Sequence, residues 1–150
     1  MIKRAVGMLV VAGVIGLLAV QLVPYGRNHT NPPVLSEPKW DSPATRAFAV
    51  SACFDCHSNQ TNWSWWTNIA PGSWLIQHDV DEGRQRLNYS EWGRGQEGDE
   101  SAESFANGNM PPFLYTLTHP NARFSEADRA AFLKGLRATF GGGGGGGGGD

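Results

Sequence analysis

Apolar and polar positions divide the chain into a continuous apolar run, a broken stretch and several short helical stripes. Residues 5–23 are apolar apart from Gln21 and are preceded by Lys3 and Arg4. At about 1.5 Å per residue the run spans roughly 28 Å, close to the hydrocarbon thickness of a bilayer. The basic flank predicts a cytoplasmic N-terminus and export of the rest of the chain. A cleaved signal peptide would have a shorter apolar region ending in small residues spaced like A-x-A. This run instead continues through Val23 into Pro24, so an uncleaved anchor over residues 1–23 is the expectation. Residues 24–38, with Pro32-Pro33, read as a semi-rigid spacer, its His29 solvated.

Beyond the spacer the pattern is helical. Asp41-Ser42-Pro43 offers a capping oxygen and a proline for the first helical position, and a compact apolar face then runs from Ala44 into Cys53. A second helix is predicted over 73–87, with Gly83 a weak point within it. A shorter one is predicted over 99–107, ended by Gly108 in left-handed geometry. The last is capped by Ser125, with Asp128 three residues on and Ala131, Phe132, Leu136 and Phe140 at helical spacing. No stretch alternates as a strand does, so the fold class is all-α. Residues 39–140 form the domain and 141–150, nearly all glycine, a disordered tail, since glycine gives up the most backbone entropy on ordering.

Net charge is −2 with both signs mixed and no basic stripe, which excludes a nucleic-acid partner. The only two cysteines lie in Cys53-Phe54-Asp55-Cys56-His57, the C-x-x-C-H pattern of covalent c-type haem attachment. Two thiols three positions apart reach two vinyl groups on one edge of the macrocycle, and the next residue, His57, falls under the iron. Its other ring nitrogen should donate to a backbone carbonyl. A disulfide, a thioredoxin-like redox pair and a zinc site share parts of this pattern. The redox pair expects a βαβ setting, and zinc needs two further ligands.

The opposite face of the iron has several candidates. Met110 is held by Pro111-Pro112 after Gly108-Asn109, and a thioether opposite histidine raises the reduction potential. Methionine also fills core gaps. His78 is the rival ligand, His119 reads as a turn residue, and a vacant position is the third alternative. Four of the six tryptophans lie between Trp63 and Trp74, where they read as core or surface anchors and as lining for a macrocycle.

With these residues in view, the chain resembles a bacterial cytochrome-c-like haem-binding domain family of small exported proteins, often held by one N-terminal helix. The resemblance runs through Thr30 to Pro33, Cys53 to Asn59, Trp63 to Pro71, His78-Asp79-Val80 with Gly83-Arg84, Leu87-Asn88 with Ser90-Glu91-Trp92, Gly108 to Pro112, Tyr115 to Pro120 and the capped last helix. It implies one covalent haem c at Cys53, Cys56 and His57, with Met110 as distal ligand, and no specific reaction. The expected role is an electron carrier rather than an enzyme. It would be anchored in the cytoplasmic membrane with its domain in the periplasm, served by c-type haem maturation machinery and exchanging electrons with respiratory-chain proteins. The alternative is a haem enzyme or small-ligand sensor with an open distal position.

Overall fold

Ile2–Val20 form helix α1, apolar all round after Lys3 and Arg4 and with no buried residue. A helix of this kind belongs in a membrane or a large core. By length and composition this one is able to cross a membrane. The computed structural model describes residues 2–93, 96 and 98–141. The expectation of a disordered glycine tail therefore lies outside the described residues, apart from Gly141. Seven α-helices, two 3₁₀ turns and no strand are present among the described residues, so the fold is all-α. An isolated bridge pairs Ser36 with Glu91.

The chain separates into two compact units. One takes in residues up to Thr30 together with Asn62–Asp81; the other takes in Asn31–Thr61 and the chain from Glu82 onward. The first contains α1, the 3₁₀ turn Trp65–Asn68 and the beginning of α4, which runs Gly72–Arg86. Its loop is tightly tied. The Gln21 side-chain amide donates to the Ala70 carbonyl at 2.7 Å, and the Ala70 N–H donates back to Gln21 Oε1 at 3.0 Å. Gly26 has φ +79° and lies against the Ser73 carbonyl, where a side chain would collide. His29, expected to be solvated, is half-buried and stacks on Trp63 with ring centroids 4.2 Å apart.

The second unit holds α2 (Pro43–Ala52), α3 (Phe54–His57), α5 (Glu100–Ala106), α6 (Phe113–Thr118) and α7 (Glu126–Phe140). The caps fall where the side-chain chemistry predicts them. Ser42 accepts the Thr45 N–H at 3.2 Å, and Ser125 accepts the Asp128 N–H at 3.1 Å, each satisfying a donor the helix leaves open. Gly108, at φ +74°, follows α5. α6 has no counterpart in the sequence expectations, because Pro111-Pro112 reads as loop and the helix has six residues.

α7 packs on α2 and α5. Its inner stripe of Phe132, Leu136 and Phe140 meets Ala49, Phe54, Tyr89 and Phe105 in one apolar core. Phe105 meets Phe132 edge-on at 4.8 Å, a favoured aromatic geometry. Each fully buried side chain of this size stabilises the fold by about 1.5–3 kcal/mol. Residues 33–37, expected as spacer, lie against this unit: Leu35 N–H donates to the Ser90 carbonyl at 2.8 Å and Trp92 N–H to the Ser36 carbonyl at 3.1 Å.

Candidate functional site

The C-x-x-C-H pentapeptide begins where α2 ends. Cys53 N–H closes α2 on the Ala49 carbonyl at 2.8 Å. The Cys53 carbonyl then opens α3, accepting from Cys56 N–H at 3.2 Å and His57 N–H at 2.8 Å. This single turn sets Cys53 and Cys56 on one side, because residues three apart are neighbours on a helix. The sulfurs are not joined in a disulfide, and both residues are half-buried. Cys53 rests against the aromatic core. Burial, aided by neighbouring Cys56, pushes its thiol up to about 12. A nucleophilic redox cysteine is favoured by the opposite shift.

His57 is held by its ring. Nδ1 lies 3.0 Å from the Gly83 carbonyl and 3.1 Å from the Leu87 carbonyl. Both are acceptors, so Nδ1 carries the proton and Nε2 presents its lone pair. Burial lowers the pKa of His57 against the opposing pull of the two carbonyls, which keeps the ring neutral at neutral pH. A neutral imidazole with one nitrogen tied to carbonyls and the other bare is the form that ligates a metal. Two thiols and this imidazole fit the expected haem. Among the described residues no group of three or more His, Cys, Asp or Glu side chains is arranged to hold a bare metal ion.

Gly83 makes the grip feasible. A Cβ there would collide with the Cys56 carbonyl, so only glycine lets α4 approach closely enough to offer its carbonyl to Nδ1. The sequence marked this residue as a weak point, yet α4 runs through it unbroken. Beyond His57 a polar network fixes the exit of the motif. Tyr89 N–H donates to the His57 carbonyl at 2.8 Å, and Asn88 Nδ2 donates to Asn59 Oδ1 at 2.8 Å. Ser90 Oγ accepts the Asn59 N–H at 3.0 Å. Arg84 Nε donates to the Ser58 carbonyl at 2.8 Å, and its terminal nitrogen reaches Thr61 Oγ1 and Asn31 Oδ1. Asn59, Asn88 and Ser90 are buried, where each satisfied hydrogen bond matters most.

Asp55, inside the motif, anchors a second element. Tyr115 on α6 donates its hydroxyl to Asp55 Oδ2 at 2.8 Å, and His119 Nε2 lies 3.6 Å from the same oxygen. His119 follows α6 and stacks on Tyr115 with centroids 3.8 Å apart. Burial and the adjacent carboxylate raise the Tyr115 phenol well above its ordinary value, so it stays a donor.

Cys53, Cys56 and His57 thus share one turn. Met110 stands in the turn between α5 and α6, its N–H donating to the Ser104 carbonyl at 3.2 Å. The residue is 38% exposed and lines a cavity of about 240 Å³ with Phe105, Ala122, Arg123, Phe124 and Arg129. The helix after Met110 is the one Tyr115 ties to Asp55. His78 is exposed on α4 and belongs to the first unit. Asn59, Arg84, Asn88, Ser90 and Tyr115 stand within the family resemblance, yet nothing in the sequence assigned them to a buried network or a latch. A polar residue destined for burial has no mark in a single sequence that separates it from a surface one.

A family model described as a haem-binding domain matches residues 15–138. No curated protein and no solved structure matches the chain.

Proposed function

Because the chain belongs to the haem-binding domain family, and is a haem protein on that ground, we propose that it is a membrane-anchored c-type cytochrome that carries electrons. Cys53 and Cys56 would hold one haem through thioethers, His57 Nε2 would be its proximal ligand and Met110 its distal one. When bound, haem supplies an iron that cycles between ferric and ferrous states. The residues of this chain do the rest. The Gly83 and Leu87 carbonyls orient His57 and raise its basicity, the aromatic core excludes water on the Cys53 side, and a thioether at Met110 would favour the reduced state. The observation that carries the reading is His57 itself: its Nδ1 is committed to two carbonyls, its Nε2 is bare, and it directly follows a pair of unlinked thiols.

The proposed partners follow from the same chemistry. Thioether formation needs both thiols reduced and haem delivered together, which is the work of c-type maturation machinery outside the cytoplasm. α1 supports a single-pass anchor with the domain on the periplasmic side, where the electron partners would be respiratory-chain proteins.

The test is spectroscopic. Protein matured in a host with c-type machinery should keep its haem through denaturation and show a reduced α-band of low-spin haem c. Met110→Ala should abolish the sulfur-to-iron charge-transfer band while leaving haem attached; an intact band moves the distal ligand elsewhere. A high-spin ferric wild type that binds cyanide readily would replace the carrier by the enzyme or sensor. Absence of covalent haem would end the reading.

A further inference from the structure

The tryptophan-rich segment of the first unit presents an exposed apolar surface. Trp65 is 77% exposed, and Ile69, Leu75, Leu22 and Tyr25 are exposed as well. An indole left in water is a large apolar area uncovered, whereas the bilayer–water boundary suits a ring with an apolar body and one donor. The height of this surface is set by hydrogen bonds. Ala70 exchanges two with Gln21, which directly follows α1, the nineteen residues of the apolar helix. The Ala70 backbone therefore stands level with the end of that helix. Gly26 against Ser73 and His29 against Trp63 hold the rest of the loop to the same segment. Arg27, exposed and donating to the Gln21 carbonyl, adds a cation at the same level. Gln21, the one polar residue in the apolar run, acts as the clasp.

We infer that Trp65, Ile69 and Leu75 form an interfacial foot that lies in the headgroup region of the phospholipid bilayer crossed by α1. The inference rests on the anchoring part of the proposed function. It adds a second contact with lipid, made by residues far along the chain from the span, so that the first unit rests on the membrane.

Full-length matured protein in phosphatidylcholine vesicles tests it. Val14, Trp65 and Ala130 are each replaced in turn by photoreactive benzoylphenylalanine, and adducts are identified by mass spectrometry after illumination. Position 14 reports the anchor, and position 130, exposed on α7, is the control. Lipid adducts at 14 and at 65, each at least tenfold above 130, are expected. Adducts at 14 with position 65 no higher than the control would overturn the foot and leave the anchor standing. No lipid adduct at 14 would remove the anchor and the foot together. Adducts at 65 to a second copy of the chain would make this a protein surface and also overturn the inference. In the Trp65-labelled protein, Gln21→Leu should lower the lipid yield at 65 several-fold while the yield at 14 holds; an unchanged yield would show that the clasp does not set the height of the segment.

Discussion

A hydrogen atom in place of a methyl group decides how His57 is held. Gly83 lets α4 come close enough for its carbonyl to accept from Nδ1, and any larger residue meets the Cys56 backbone. Backbone does not move aside as the tip of a flexible side chain does, so overpacking here should cost about 1–3 kcal/mol. Gly83→Ala is expected to destabilise the matured protein by that amount in denaturant unfolding and to reduce the yield of attached haem. Unchanged stability and yield would mean that α4 does not brace the motif. The motif itself was legible because its chemistry is local: two thiols and an imidazole within five residues need no tertiary information. The brace was not, because Gly83 and Cys56 are far apart in sequence and become neighbours only on folding.

At the scale of elements, two links tie segments to the motif-bearing core. Glu37 accepts from Arg46 Nε and a terminal nitrogen at 2.7 Å each, joining the extended segment to α2. The Arg46 bond holds the Glu37 carboxyl below its ordinary value of 4.5. A carboxyl with a depressed folded-state pKa contributes stability above its unfolded value and loses it as pH falls through the folded one. Glu37→Gln should therefore cost about 0.5–1 kcal/mol at pH 7, a figure limited by the partial exposure of the pair. The gap to wild type should close as pH falls below 4.5, as measured by urea unfolding across pH. A constant gap would assign the loss to packing. The second link is Tyr115 to Asp55, which fastens α6. Tyr115→Phe keeps the ring and removes the donor, for an expected loss of about 1–3 kcal/mol in thermal unfolding. A variant as stable as wild type would show that α6 is held by its apolar contacts alone. α6 was hidden in the sequence because a six-residue helix after two prolines presents too few periodic positions to register.

For the whole molecule the prediction concerns topology. Lys3 and Arg4 lie at the start of α1 and no acidic residue lies within it, so the basic end should remain in the cytoplasm. A fusion of alkaline phosphatase after Phe140 should be active and a fusion of a cytoplasm-dependent reporter at the same point inactive. The reverse pattern would invert the orientation and leave the thiols on the side where c-type maturation does not occur.

Amino-acid order alone determined the apolar span, the helical class, the two side-chain caps and the C-x-x-C-H pentapeptide. Each of these depends on neighbours within a few turns, where periodicity and side-chain chemistry act directly. Folding decided which carbonyls receive the His57 proton, which asparagines are buried behind it, where Met110 stands, and that Gln21 grips Ala70. These are meetings between residues distant along the chain, and burial, not residue type, gives them their energetic weight.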